Sequence, residues 1–280
     1  MKLQRSSSAL GEFIRSRRER IQPTDAGIQP LPGRRRTPGL RREEVAYLAN
    51  VSVTYYTWLE QGKETNPSPD VLTSIGSALQ LTDDERQYML GLVQREATDP
   101  SRLLWPPERN TDVMQQLVQQ LQYPSFITNE ATDVIVWNRA AELVIADFGQ
   151  MEPSERYMMK LIFLHPDYRR KLLNWDEFAR YSAGIMRASF EKYRDEPLYM
   201  ERFNRLYTGS PEFATQWDRF EIRQKQVATA TYQLDNGQTM EFDIHSATSI
   251  DNDPGLHWCF FVPSADTAPK LAQLLAQDRG

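Results

Sequence analysis

The sequence predicts an α+β protein in two parts: an all-α head over residues 1–95 and a mixed α+β body over 110–265. Three observations carry this. Short helical patterns with explicit start and stop signals crowd the first hundred residues. In the remainder, β-like runs bracket a long helical stretch. The charge also divides along the chain, with residues 1–66 carrying 12 Lys and Arg against 7 Asp and Glu, and the rest 21 against 31. A linker is expected at 96–109 and a helical tail at 266–280, and 280 residues suit two compact domains.

The head reads as five helices. Leu10, Phe13, Ile14 and Ile21 form a first stripe, with Ser7 or Ser8 as its cap. Pro23 to Gly39 is a loop that includes Arg34, Arg35 and Arg36. A second helix spans about Arg41–Ala49, with Val45, Leu48 and Ala49 facing inward. Asn50-Val51 makes a turn, Ser52 caps a third helix running to Gln61, and Gly62 occupies the C-cap glycine position. Ser68-Pro69 opens a fourth helix. Thr82 with Glu85 three residues on is a capping box that opens a fifth.

In the body, Asp99-Pro100 and Pro106-Pro107 break helices, and one is expected around Val113–Leu121. Phe126-Ile127 and Val134–Trp137 read as short strands, and Arg139 to about Arg223 as mostly helical. Gln226–Leu234 and Gln238–His245 flank the hairpin signal Asp235-Asn236-Gly237. A three-residue loop with Gly237 left-handed pairs Tyr232 with Met240 and Ala230 with Phe242, giving the hairpin one apolar face. A two-residue loop would split the apolar residues between faces. A last strand, His257–Val262, precedes a short terminal helix.

Glu43 to Gly62 has the layout of a helix-turn-helix: two short helices, a small residue at Ala46 for close approach, Val51 plugging the turn, and Tyr56 and Leu59 facing in. A basic head on an acidic body also fits a nucleic-acid-binding module joined to something else. The segment resembles the phage-repressor, xenobiotic-response-element (XRE) class, whose pattern ends in Glu-x-Gly as Glu60-Gln61-Gly62 does. That resemblance implies base-edge contacts from Val53, Thr54, Thr57 and Trp58 and phosphate contacts from Arg42 and Ser52, with Tyr55 in either role. Arg34, Arg35, Arg36 and Arg41 add basic charge at the same end.

More specific matches run along nearly the whole chain. Arg34 to Ala46, Tyr55-Tyr56-Thr57, Leu59 to Gly62, Pro67-Ser68-Pro69, Asp133 to Ala141, Glu155-Arg156, Phe163 to Pro166, Asn174-Trp175, Ser210 to Phe213 and Trp217 closely resemble the MmyB-like regulator family. The sequence departs from that family at Trp58, where Arg is common, at Tyr157 for Asn, and at Phe220-Glu221-Ile222 for His-Asp-Val. The resemblance implies a PAS-like body, with which the strand order is compatible. It also implies a sensor of small hydrophobic, fatty-acid-like ligands. A homodimer is expected, with two recognition helices in successive major grooves of a double-stranded, roughly palindromic operator.

Aromatics at helical spacing are ordinarily core, so the ligand candidates are a short set: Phe126, Trp137, Phe148, Phe163, Phe178, Met186 and Phe190, with Arg187 as the carboxylate partner. Two other classes stay open: a protein-partner adaptor, and a constitutive regulator whose body only dimerises.

Enzyme chemistry is not expected. His165, His245 and His257 are scattered and lack metal-ligand spacing, and Asp243 near His245 has no nucleophile elbow beside it. Phosphate-cradling and dinucleotide motifs are missing, so no cofactor or metal is expected. Cys259, the single cysteine, reads as a buried thiol in a reducing cytoplasm. No apolar run approaches the roughly 18 residues that span a bilayer, and the N-terminus has no apolar signal core. A cytoplasmic, nucleoid-associated protein is expected.

Overall fold

The computed structural model describes residues 2–28, 39–63, 67–93, 111–222, 228–250 and 253–278. The loop arginines 34–36 and the linker expected at 96–109 lie outside the described residues. Two compact units are formed. Among described residues the first holds 2–28, 39–63 and 67–93, together with 187–191 and 220–222, and the second holds the remainder.

In the first unit, α1 (Lys2–Arg18), α2 (Arg42–Leu48), α3 (Val53–Glu60), α4 (Pro69–Ala78) and α5 (Asp83–Val93) follow one another. The expected start of α1 is corrected: Ser7 and Ser8 lie inside the helix, and Ile21 lies beyond its end. Serine in a helix interior costs only a fraction of a kcal/mol, and Lys2, Leu3, Gln4 and Arg5 all propagate a helix well. The other signals act as expected. Ser52 Oγ accepts from Tyr55 N at 3.1 Å and Ser68 Oγ from Val71 N at 3.4 Å. Thr82 and Glu85 close a reciprocal box at 3.0 and 3.3 Å.

Helix ends are set by left-handed residues. Asn50 (φ 54°) turns α2 into α3, with Val51 N–H donating back to Ala46 O at 3.0 Å. Gly62 (φ 68°) ends α3, with Lys63 N–H donating to Trp58 O at 2.8 Å. The apolar faces meet in one core of Leu10, Phe13, Ile14, Val45, Ala46, Tyr56, Leu59, Leu72, Ile75, Met89 and their neighbours. Gly11 lets α1 approach the end of α3, since a Cβ there would lie 2.4 Å from Glu60 O.

The second unit runs α6 (Thr111–Gln119), β1 (Ser125–Thr128), β2 (Val134–Trp137), α7 (Arg139–Val144), α8 (Met158–Leu164), α9 (Pro166–Lys171), α10 (Trp175–Tyr193), α11 (Pro197–Gly209), α12 (Pro211–Asp218), β3 (Ala228–Gln233), β4 (Thr239–Ile250), β5 (Asp253–Pro263) and α13 (Thr267–Asp278). The strands form one antiparallel sheet in the order β2-β1-β5-β4-β3. The β3–β4 hairpin has the expected register, Tyr232 opposite Met240 and Ala230 opposite Phe242, with Gly237 at φ 80°. The chain is α+β as expected, an all-helical part followed by a sheet with helices.

Pairing and alternation put Phe126, Trp137, Phe261, Phe242, Met240, Tyr232 and Ala230 on one face of the sheet. On that face Phe126 lies 6.0 Å from Phe148 and 5.8 Å from Phe261 between ring centroids, and the Tyr168 and Tyr232 hydroxyls meet at 2.9 Å. Ile127, Val136 and Leu256 pack with Met114 and Val118 of α6. The edge strand β3 is covered by the α9–α10 junction, where Leu173 N–H donates to Thr231 O and the Asn174 amide pairs with Thr229 O and Thr231 N.

Asn138 joins the early elements of this unit. Its buried Oδ1 accepts from Ser125 N and Ala141 N, both at 3.0 Å, and so caps α7. Its Nδ2 donates to Leu121 O at 2.9 Å and Tyr123 O at 2.7 Å. Only an amide side chain both accepts and donates here. Replacing Asn138 with Asp would set a carboxylate against two carbonyls. The expected cost is at least about 1–3 kcal/mol, read as a lower denaturation midpoint for this unit in the full chain and faster hydrogen exchange in β1. An unchanged midpoint would contradict this.

Candidate functional site

Eight residues of α3 divide cleanly into two faces. Tyr56, Leu59 and Glu60 are buried. Val53 and Trp58 are 41% and 49% exposed, Ser52 and Thr54 are exposed, and Tyr55 and Thr57 are partly so. Positions 53, 54, 57 and 58 fall on one side of a 3.6-residue repeat. The Thr57 hydroxyl donates to Val53 O at 2.7 Å, which commits its one proton to the helix backbone.

The orientation of that face is fixed from below by Glu60. Its carboxylate is 1% exposed and receives Arg18 in a two-point pairing: Nε to Oε2 and Nη2 to Oε1, both 2.8 Å. Arg42 reaches the same Oε1 from Nη2 at 2.8 Å and Nε at 3.1 Å. The third Arg18 nitrogen, Nη1, donates to Leu40 O at 2.9 Å, so the guanidinium ties α1 and the α2 approach to the end of α3. Gly39 permits this close passage, since a Cβ there would sit 2.2 Å from Arg18 O.

The electrostatics follow from the count of charges. Burial alone would push the Glu60 carboxyl up, but hydrogen bonds and charge from Arg18 and Arg42 outweigh it and hold it below the ordinary carboxylate range. For Arg18, burial acts to lower its pKa, and the Glu60 hydrogen bond and charge override it and raise it. Three guanidiniums, Arg15, Arg18 and Arg42, share two carboxylates, Glu19 and Glu60, which leaves one positive charge. Its outer members are Arg15 and Arg42, with side chains 61% and 39% exposed against 3% for Arg18.

The expected DNA-contacting residues therefore separate. Ser52, Val53, Thr54, Tyr55, Thr57 and Trp58 come together on α3 and its cap. Arg41 sits at the N-cap of α2, its backbone N–H donating to Glu44 Oε2 at 2.7 Å. Arg42, expected at phosphate, has Glu60 as its partner. Sequence reasoning missed Tyr47, 79% exposed on α2. The helical stripe already gave Val45, Leu48 and Ala49 as the inner face, so Tyr47 could have been placed outside.

The expected ligand residues are brought together only in part. Trp137 and Phe148 lie 5.8 Å apart and join Phe126 on the sheet face. Phe163 belongs to a separate helical cluster, 5.0 Å from Phe213 and 6.1 Å from Trp175. Phe178 and Met186 are buried on α10, where Phe178 lies 6.3 Å from Tyr181. Phe190 and Arg187 count with the first unit, and the Arg187 guanidinium carbon is 3.3 Å from the Phe220 ring centre.

Arg156, overlooked as a site residue, stands instead beside the sheet aromatics. Its guanidinium carbon is 4.5 Å from the Trp137 ring centre and its Nη2 donates to Met151 O at 3.0 Å, while its Nε is buried without a hydrogen-bond partner. Burial lowers its pKa, with Glu152 opposing. The signal was present, since Glu155-Arg156 is among the matched motifs.

Cys259, expected to be buried, is partly exposed on β5. His257 Nε2 lies 3.8 Å from Glu130 Oε2. Among the described residues no group of His, Cys, Asp and Glu suits a metal ion, and no helix is long and apolar enough to cross a membrane.

A helix-turn-helix with an outward-facing second helix, followed by an α+β body, has the architecture of a DNA-binding regulator with a second domain. Residues 9–89 match the model of a helix-turn-helix domain, and residues 111–275 match that of the MmyB-like transcription regulator ligand binding domain. The chain belongs to the MmyB-like transcription regulator family. None of the curated proteins compared with it matches.

The depressed Glu60 value gives the first unit a pH signature. The stability it contributes is complete above the ordinary carboxyl value of 4.5 and is lost as pH falls through the lower folded value. Glu60→Gln should cost about 3–5 kcal/mol at neutral pH by stranding buried Arg18. It should also flatten this acid dependence, as followed by hydrogen exchange of α1 and α3 amides. A variant with unaltered exchange would refute the role given to Glu60.

Proposed function

We propose that this protein is a sequence-specific transcription regulator whose DNA affinity responds to an amphiphilic ligand with a long apolar part and an acidic headgroup. The single observation that carries the DNA half is the α3 surface: a serine-capped helix whose outward side chains are uncharged, fixed by the Arg18–Glu60–Arg42 network within a head of net positive charge. Backbone phosphates supply non-specific affinity to the basic residues, and side chains on the exposed face discriminate between bases. As a homodimer, the protein would place two α3 helices in successive major grooves of a near-palindromic operator. That role puts its work where the DNA is, in the cytoplasm of the cell.

For the sensing half, the proposed ligand face is the sheet side bearing Phe126, Trp137 and Phe148. Arg156 at its margin replaces Arg187 as the headgroup partner. A guanidinium with a buried, unpartnered Nε next to aromatic rings gains a counter-ion when a carboxylate arrives. Each buried methylene of an acyl chain adds roughly 0.8 kcal/mol. Ligand changes DNA binding only through unequal affinity for two states of the protein, and a tenfold response needs a coupling of about 1.4 kcal/mol.

A second reading, in which the body serves only association, has one observation in its favour. Val113, Leu117 and Leu121 form an exposed apolar stripe on and just after α6, beside the buried Met114 and Val118, and would suit a second copy.

Two measurements on the full chain separate these readings. Mass spectrometry of an organic extract should recover a near-stoichiometric hydrophobe if the body senses one. Arg156→Leu should weaken binding of a long-chain fatty acid by about 10- to 150-fold, the worth of a charged hydrogen bond, while leaving the corresponding alcohol nearly unaffected. An empty extract with no acid binding would favour the association reading, and equal loss for acid and alcohol would remove Arg156 from the headgroup role.

A further inference from the structure

The major-groove edge of a base is read by hydrogen bonds from charged or amide side chains, by the hydroxyls of Ser and Thr, or by apolar contact with the thymine methyl. The exposed face of α3 carries none of the first group. Its one charged residue, Glu60, is buried and fully engaged by two arginines. Asn50 and Gln61 flank the helix, in the left-handed turn before it and at its C-cap. What the face offers is the isopropyl group of Val53, the hydroxyl and methyl of Thr54, Thr57 and the indole of Trp58, with the capping Ser52 and the partly exposed Tyr55 beside them.

Thr57 belongs with the apolar members. Its hydroxyl proton is given to Val53 O, one turn back, so Thr57 donates no hydrogen bond to a base in this rotamer, and its methyl remains for apolar contact. Trp58 and Val53, both more than two-fifths exposed, are large apolar groups kept in water on a helix whose other face is fully packed.

We propose that α3 recognises thymine through its 5-methyl group, with Val53, Thr57 and Trp58 forming the methyl-contacting surface and Thr54 supplying a hydroxyl contact. The occupant is DNA and not an apolar protein surface because the patch sits on a head with 12 basic against 7 acidic residues over 1–66. The half-exposed Arg42, an outer member of the Glu60 network, also belongs to that head. The proposal rests on the assignment of α3 as the DNA-reading helix and deepens it. Each buried methyl should strengthen binding about fourfold, the equivalent of one methylene removed from water.

The test uses the full-length protein. Duplexes are selected from a random pool, and thymines in the selected site are then replaced one at a time by deoxyuridine, which removes the methyl and leaves every hydrogen-bonding group. The expected result is a selected site containing thymines whose replacement weakens binding about fourfold each and more than tenfold in pairs. At the same positions, 5-methylcytosine in place of thymine should be tolerated better than unmethylated cytosine. The deoxyuridine penalty at one position should disappear in Val53→Ala, which keeps the helix and its capping intact. Selective binding that is indifferent to deoxyuridine would overturn the methyl proposal while leaving DNA reading in place. Failure to select any duplex would overturn both.

Discussion

The carboxylate of Glu60 closes α3 and, by accepting from Arg18 and Arg42 together, joins the end of that helix to α1 and to the start of α2. The glycines beside it follow from the same demand: Gly11 and Gly39 are where a side chain would collide with Glu60 O and Arg18 O. A planar guanidinium matched to a carboxylate at two points constrains direction as well as distance. Buried charge also penalises any packing that separates the partners. The outer face of α3 is therefore aimed by groups on its inner side. The outward side chains of Val53, Thr54, Thr57 and Trp58 take no part in that network.

In the second unit the comparable constraint is polar in the same way but uncharged. Asn138 binds the segment after α6, the start of β1 and the first turn of α7 through one amide. From there the sheet puts Phe126 and Trp137 side by side, and Phe148 lies against both. Arg156 crosses the Trp137 face, so a cation and an apolar surface adjoin where an amphiphile would need them. Trp137 is further held by its Nε1–H donating to Glu142 Oε1 at 2.6 Å.

Much of this was legible in the residues. Local chemistry fixed the helix ends of the head, because Ser52, Ser68, Thr82 and Gly62 each satisfy orphan backbone groups within a few residues. The β3–β4 register was legible because only one pairing gave the hairpin a single apolar face. The start of α1 was not, since serine is tolerated inside a helix as well as at its cap. The Arg42–Glu60 pairing spans 18 residues and the Arg18–Glu60 pairing 42. Sequence spacing therefore could not show that Arg42 has a carboxylate partner within the fold. The ligand candidates divided for the same reason. Phe126, Trp137 and Phe148 are near one another through strand pairing and a nearby turn. Arg187 sits on a long helix, α10, of which residues 187–191 count with the first unit, and periodicity does not single them out.

The central claim is that a rigidly aimed α3 gives this regulator preference among DNA sequences. It is tested most directly by measuring full-chain affinity for a selected duplex and for a scrambled duplex of equal length across a range of salt. The account predicts that both affinities fall as salt rises, because phosphate contacts release counter-ions. The selected duplex should stay at least about a thousandfold tighter at physiological salt, the low end for specific regulators. Equal affinity for the two duplexes at every salt concentration would contradict it, leaving a basic head that holds DNA without reading it.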